Sequence, residues 1–243
     1  MSAELVKPYD PEAGKKAQVE QMFDRIAPKY DFLNRLLSGG IDIYWRKKAI
    51  SYLKKSNPRQ ILDVATGTAD LALETFRQIK PDRIVGIDIA NEMLEFGREK
   101  IKKAGLDKHI SLETGDSEQL RFSDSVFDAV TVAFGVRNFE NLEKGLSEMR
   151  RVLHPGGDLV ILEFSQPQIF PVKQLYGAYF RYVLPLVGRV TSRDPRAYTY
   201  LFESVQAFPQ GDDFCKILTK TGFQSPIHKR LTLGICSVYL AKK

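Results

Sequence analysis

The sequence predicts an α/β protein built on a seven-stranded, mostly parallel sheet whose last strand is antiparallel. N-terminal helices precede the sheet, and a helical segment is inserted near 167–208. Three observations carry this expectation. Short β-branched runs ("QILDVA", "RIVGIDI", "HISLETG", "VFDAVTVA", "DLVILEF") alternate with helix-length stretches near 70–80, 90–104 and 140–153, the rhythm of βαβ units. The first run feeds "ILDVATGTAD", which has the outline of a strand-to-helix nucleotide loop. Two closing strands, near 224–230 and 233–241, are joined too closely for a crossover and so pair antiparallel.

Taken in order, 15–37 spaces Val19, Met22, Phe23, Ile26, Tyr30, Leu33 and Leu37 as one helical stripe. Pro28 interrupts it, so two short helices with a kink are expected. "SGG" at 38–40 breaks the chain, and 41–55 reads as a third helix. It has Ile41, Trp45, Ala49 and Leu53 on one side and Arg46, Lys47, Lys48, Lys54 and Lys55 outside. Helix 140–153 carries Leu142, Leu146, Met149 and Leu153 on one stripe and stops at a turn, "HPGG". "GDDFCKILTKTGF" reads as a helix ended by Gly222. At 243 residues the chain suits a single domain. Its parts are a helical cap over 1–57, a core half over 58–166, an insertion over 167–208 and a final helix and strand pair over 209–243.

Composition narrows the functional classes. The net charge of +6, from 36 basic and 30 acidic residues, favours anionic surfaces but is too diluted to indicate a nucleic-acid binder, and none is expected as a partner. The two cysteines, Cys215 and Cys236, lack C-x-x-C spacing, so neither a disulfide framework nor a metal site is expected. That usage fits a reducing cytoplasm. The first residues lack the apolar core of a secretory signal. The apolar stretch 169–190 is broken by Lys173, Arg181, Pro185 and Arg189, and falls short of the ~20 residues that span a bilayer. His109, His154 and His228 lie away from the carboxyl edge of the sheet and are read as non-catalytic.

The loop itself discriminates between cofactors. Ala65 and Ala69 stand where a D-x-G-x-G-x-G loop has glycine, and Gly67 is the one position left for close backbone approach or positive φ. A dinucleotide would place its pyrophosphate at the following helix N-terminus, where Asp70 competes with it. S-adenosylmethionine carries a sulfonium and an ammonium instead of phosphate, so Asp63 and Asp70 are compatible with it. Asp70 acting only as a helix cap is the plainer alternative. Asp88 closes the second strand, where a carboxylate can accept both ribose hydroxyls. Asp116 and Ser117, in "GDS" after the third strand, can meet an adenine ring. Acids at three successive strand ends point to an adenosine lying across them, although each alone is a common turn residue.

Through "LDVATGTAD", "GIDIANEML", "TGDSEQL", "FDAVTVAFGVRN" and "EMRRVLHPGGDLVILEF" the chain resembles the class I S-adenosylmethionine-dependent methyltransferases, with their Rossmann-like fold. "MFDRIAPKYDFLNRLLSGG", "YWR", "AFGVRNF" and "DPRAYTYLFESVQAFP" narrow the likeness to the C-methyltransferases of menaquinone and ubiquinone biosynthesis, over nearly the whole chain from residue 20. The resemblance implies transfer of a methyl group to a ring carbon of a reduced polyprenyl quinone. Demethylmenaquinol is the first-choice acceptor and the methoxy-benzoquinol precursor of ubiquinone the alternative. It also implies that Thr68, Asp88, Asp116 and Ser117 contact the cofactor, with Asp63 and Gly67 completing the loop. Ala197 stands where the family carries serine, and Leu233 where a second glycine is usual. The rival classes are a nicotinamide-dependent oxidoreductase, an RNA methyltransferase and a cofactor-binding regulator without catalysis.

Carbon methylation needs the ring activated through its hydroxyl, which should titrate near ~10 by analogy with Tyr. Arg137, after the fourth strand, is the expected catalytic group. It is a poor literal base but suits developing phenolate charge or a relaying water. Asn138 either fixes the substrate hydroxyl or caps the helix near 140. Tyr30 and Asp31 are candidates for a lid over the site, and Tyr198 and Tyr200 for the walls of the ring pocket. The stretch 169–190 and the basic helix 41–55 are expected to form a groove for the tail and a rim facing a membrane. This gives a cytoplasmic protein, peripheral on the inner membrane face, with a homodimer left open.

Overall fold

The computed structural model describes residues 6–179 and 194–243, except for the side chains of Pro195 and Tyr198. Helices α1 (Lys15–Ser38) and α2 (Ile41–Ser51) precede the core, and a 3₁₀ turn (Tyr52–Lys55) extends α2. The core then runs β1 (Gln60–Val64), α3 (Asp70–Ile79), β2 (Arg83–Asp88), α4 (Asn91–Lys103), β3 (Ile110–Thr114), β4 (Phe127–Ala133), α5 (Leu142–Val152) and β5 (Leu153–Phe164). Next come α6 (Val172–Ala178), α7 (Pro195–Ala207), α8 (Asp212–Lys220), β6 (Gln224–Leu231) and β7 (Cys236–Lys242). The seven strands lie in the order β3-β2-β1-β4-β5-β7-β6. β1 to β5 pair in parallel, and β7 runs antiparallel to both β5 and β6, as expected.

Strand alternation explains why the core runs are apolar on both faces. Leu62, Val64, Val130, Val132 and Ile161 face the α5 and α8 side with Leu146, Met149 and Phe214. Ile61, Ala129, Val160 and Leu162 face the other side, with Trp45, Leu53, Leu71 and Leu94. Strand order reverses between β1 and β4, so the crevice for a ligand opens at their carboxyl ends. Both the loop after β1 and the turn after β4 lie there.

Four features depart from expectation. α1 is one continuous helix with Pro28 inside it, not two. Packing on either side of the proline holds it: Ala27 sits against Ala90 and Met93, and Phe23 meets Tyr30 edge to face at 6.0 Å. Arg46 is buried, 6% exposed, because it pairs with Asp42 one turn earlier; Lys47, Lys54 and Lys55 are exposed as expected. "HPGG" is not a separate turn but the irregular entry of β5, where the register against β4 shifts. Finally, positive φ in the β1–α3 loop is not confined to Gly67 (φ 55); Ala65 (φ 52) and Ala69 (φ 64) adopt it too. Left-handed alanine costs about 1–2 kcal/mol, so this loop keeps its glycine-like shape under strain, a recurrent mark of functional sites.

Candidate active site

Two adjoining spaces open at the carboxyl edge. The smaller, about 70 Å³, lies across the ends of β1, β2 and β3 under α1, lined by Gly67, Asp88, Asp116, Ser117 and Asn138 among others. Asp88 is half-buried. Its Oδ2 accepts the Gly67 N–H at 2.8 Å and its Oδ1 the Ala90 N–H at 3.0 Å. Burial pushes its carboxyl up to about 6. Asp116 Oδ1 accepts the Glu118 N–H, and its Oδ2 accepts Lys16 Nζ from α1 at 2.7 Å.

Two residues assigned to cofactor contact stand elsewhere. Asp63 is 1% exposed and lies beneath the loop, not on the wall of the cleft. Its oxygens accept the hydroxyls of Thr66 (2.6 Å) and Thr131 (2.7 Å), and burial pushes it up to about 6. It braces the turn to the neighbouring strand. The Thr68 hydroxyl donates to Asp31 Oδ1 at 2.6 Å and receives Lys100 Nζ at 3.0 Å. Asp70 does not cap α3 with its side chain; it pairs with Lys100 (2.6 Å) and Arg35 (2.7 Å). Against the opposing effect of burial, Arg46 and Lys100 hold its carboxyl below the ordinary range. Asp31, Thr68, Asp70 and Lys100 thus tie α1 to the loop and α4, while Tyr30, one residue away, lines both spaces.

The larger cavity, about 530 Å³, is walled by α1, α2, α6, α7 and the β6–β7 connection. Its surface is chiefly apolar and aromatic, and Phe23, Tyr30 and Phe134 are common to both spaces. Phe134 and Phe164 pack at 4.5 Å, with the Arg46 guanidinium over the first ring and that of Arg137 over the second. Trp45 Nε1 donates to Thr232 Oγ1 at 2.7 Å. Tyr200 lines the cavity as expected, and its hydroxyl donates to Asn138 Oδ1 at 3.1 Å. The Tyr198 side chain lies outside the described residues, as does the part of the 169–190 stretch beyond Tyr179.

Arg137 lines the large cavity from the turn after β4, and is 5% exposed. Its Nη1 donates to the Phe134 carbonyl and, at 2.6 Å, to Glu163 Oε1 on β5. Its Nε has no hydrogen-bond partner among the described residues. Asn138 lines the small cleft next to it and does not cap α5; Asn141 does, accepting the Lys144 N–H. Burial raises the phenols of Tyr30, Tyr176 and Tyr200 above their ordinary value, so they stand around Arg137 as neutral donors. Glu163, Asp42, Lys16 and Lys100 went unread in the sequence. Glu163 carries a signal, an acid inside the apolar run "DLVILEF", and Asp42 and Arg46 carry another in their i, i+4 spacing.

Similarity to known proteins accords with this geometry. The profile of the ubiE/COQ5 methyltransferase family matches residues 12–243. The chain belongs to that family. A demethylmenaquinone methyltransferase of Bacteroides fragilis is 50% identical over 240 residues, 99% of this chain and 98% of that protein. One from Porphyromonas gingivalis is 46% identical over 100% of this chain and 99% of its own length. A ubiquinone/menaquinone biosynthesis C-methyltransferase of Geotalea daltonii is 46% identical over 94% of this chain and 97% of its own. Among solved structures, the cyclase SpnF superposes with a TM-score of 0.68 at 15% identity, covering 94% and 96% of the two chains. A putative S-adenosylmethionine-dependent methyltransferase of Methanococcus maripaludis gives 0.66 at 16%, covering 91% and 94%. These two likenesses establish the fold, which hosts more than one chemistry.

S-adenosylmethionine is the cofactor of this family member, and the cleft suits it. Asp88 and Asp116 offer acceptors to hydroxyl and amino groups. A Cβ at Gly135 would stand 2.5 Å from that of Ala65, so the backbone here is drawn in to shape the cleft. Among the described residues no group of three His, Cys, Asp or Glu could hold a metal ion.

Proposed function

We propose that the protein methylates the ring carbon of demethylmenaquinol, with the quinol ring in the large cavity and its tail leaving between α1, α6 and the β6–β7 connection. One observation carries this reading. A 530 Å³ apolar cavity shares Tyr30 and Phe134 with the adenosine cleft and presents the Arg137 guanidinium to whatever fills it. The full-length relatives named for demethylmenaquinone support the acceptor; the benzoquinol precursor of ubiquinone is the second reading, favoured by the name of the Geotalea protein.

Bound S-adenosylmethionine supplies an electrophilic methyl on a sulfonium. Arg137 stabilises the oxyanion that forms when the quinol hydroxyl loses its proton; this raises electron density on the adjacent ring carbon. So activated, the ring carbon would take the methyl from the cofactor, whose sulfur keeps the bonding pair, and the hydroxyl and ring C–H protons would be released to solvent. Tyr30 and Phe134 close the passage between the two spaces, and Asn138, fixed by Tyr200, completes its rim. The apolar wall excludes water and strengthens the Arg137 interaction.

Incubation with methyl-labelled S-adenosylmethionine and each reduced quinone tests the reading: label should enter demethylmenaquinol, and an inert acceptor of both kinds sinks it. Phe32 and Leu36 on α1, Ile43 and Tyr44 on α2, and Phe170 and Leu175 in and before α6 are exposed on segments that wall the cavity, and Lys47, Lys54 and Lys55 of α2 and its 3₁₀ extension are exposed too, which suits docking on an anionic bilayer. No helix among the described residues is long and apolar enough to cross one. Flotation with anionic vesicles should carry the protein upward, and the loss of flotation with neutral vesicles would show the basic rim at work.

A further inference from the structure

Arg137 is held in an unusual way. Glu163 is 0% exposed, and its Oε1 accepts from Arg137 Nη1 at 2.6 Å and from the Phe164 N–H at 2.8 Å. Its Oε2 is 3.4 Å from the Arg137 backbone N–H. The same carboxylate therefore grips both the side chain and the backbone of the arginine. Nη1 is spent on Glu163 and Phe134, which fixes the plane, and no hydrogen bond to the other edge of the guanidinium is made among the described residues. A buried ion pair is weak evidence for stability, since apolar residues of similar volume often do as well or better. Burying Nε without a hydrogen-bond partner among the described residues adds a further desolvation cost. A pair carried at such expense beside a cavity is a pair kept for what it does there.

We propose that Glu163 is the positioning residue of the methyl transfer: through Arg137 it fixes where the oxyanion of the bound quinol is stabilised. This rests on the quinol reading above. Glu163 does not line the cavity, so it neither touches the acceptor nor takes its proton; it acts only through the guanidinium. Losing the carboxylate charge leaves Nη1 anchored by the Phe134 carbonyl alone and a buried cation without its counter-charge.

The pair also sets a pH limit. Facing Glu163 are Arg137 after β4, Cys236 and Tyr239 on β7, Tyr176 on α6 and Tyr200 on α7. Burial raises the phenols and the Cys236 thiol, so these are neutral. Arg137 is then the one charged partner among them. Burial raises Glu163 above the ordinary carboxylate value even against the arginine. As pH falls through that raised value the carboxylate takes a proton, the pair breaks and turnover declines.

The test compares the full-length protein with Glu163→Gln and Glu163→Asp across pH, reading kcat, the KM for demethylmenaquinol and the affinity for S-adenosylmethionine. Glu163→Gln should lower kcat about 10–100-fold, the range seen when a supporting group is removed. The KM and cofactor affinity should change less than about threefold, and the acid limb of kcat should disappear. Glu163→Asp should keep an acid limb and recover part of the rate. A Glu163→Gln protein with kcat within about twofold of the parent and an unchanged acid limb overturns the proposal. Should Glu163→Gln fail to fold, the Arg137 Nε–H resonance of the parent decides. It should shift with a single raised carboxylate titration that Glu163→Asp displaces, and an invariant resonance overturns the proposal. A parent that binds cofactor but leaves demethylmenaquinol unmethylated refutes the acceptor, while the resonance still tests the coupling.

Discussion

The cofactor cleft and the substrate cavity share a wall but are built differently. The cleft is made at strand ends: Asp88 closes β2, Gly67 and Asp116 lie just past β1 and β3, and parallel pairing fixes the spacing of the strands that carry them. The cavity is made chiefly of helices, α1, α2, α6 and α7, drawn from both ends of the chain, with Phe134, Arg137 and Phe164 from the sheet edge and Thr232 and Ile235 from the β6–β7 connection. One is small and sets Asp88, Asp116 and Asn138 among apolar side chains; the other is more uniformly apolar and several times larger. The difference teaches how one sheet serves many acceptors: the invariant half of the reaction is tied to the β-scaffold, and the variable half to helices laid over it.

If the two regions are separable in this way, mutations should split their effects. Arg137→Ala should give the largest loss, about 10²–10³-fold in kcat/KM for the quinol, the size expected when a preorganised oxyanion partner is removed. Its cofactor affinity should stay near that of the parent by calorimetry; a matching loss there would show that the cavity and cleft are one unit. Asp88→Asn should do the reverse, weakening S-adenosylmethionine by about 1.5–3 kcal/mol, the worth of hydrogen bonds to a charged group, with little change in the quinol KM. Asp88 also sets a pH dependence. Its carboxyl is pushed up to about 6 by burial, and ribose hydroxyls donate best to the ionised form. Cofactor affinity should therefore be full above that value and fall as pH drops through it, and Asp88→Asn should flatten the profile.

The same division decides what the sequence revealed. Short β-branched runs and their turn residues exposed all seven strands and the acids at their ends, because a strand end is local in the chain. Gly67, Asp88, Asp116 and Ser117 are expected at the cleft for that reason and line it, and Arg137, in the turn after β4, lines the cavity. Asp63 and Thr68 share the loop motif, but their side chains turn beneath and behind it, which spacing does not encode. Glu163 was hidden because a buried acid in a strand reads as an interruption until its partner, 26 residues earlier, is seen beside it. Pro28 misled through a local rule that packing against α4 overrides.

A smaller effect concerns the brace beneath the loop. Asp63 carries a raised carboxyl, at about 6 against an ordinary 3.8, because burial outweighs the hydroxyls of Thr66 and Thr131. A carboxyl raised in the folded state contributes stability that is present below its unfolded value and lost as pH rises through the folded one. Between about 4 and 6, then, the protein should lose on the order of 1–3 kcal/mol from this group. Asp63→Asn should flatten that slope in urea melts, since the amide stays neutral throughout. A slope that survives the substitution would assign the pH dependence to another group, with Asp88 the first to examine.

The smallest effect tests whether α1 belongs to the cleft or to the cavity. Asp31 pairs with Lys100 at 2.8 Å and receives the Thr68 hydroxyl at 2.6 Å, yet the ion pair is partly exposed, at 38% and 26%. Screening limits such a pair to about 0.2–1 kcal/mol of stability. Asp31→Ala should therefore shift the melting temperature by only a few degrees. Kinetically it should matter more, because Asp31 is, with Arg35, one of the ties from α1 to the cofactor loop and the start of α3, and Tyr30 beside it lines both spaces. Stopped-flow binding should show S-adenosylmethionine entering and leaving faster, with the dissociation constant little changed. A change in the quinol KM alone would place the helix with the cavity, and would confine the cleft to what the sheet itself supplies.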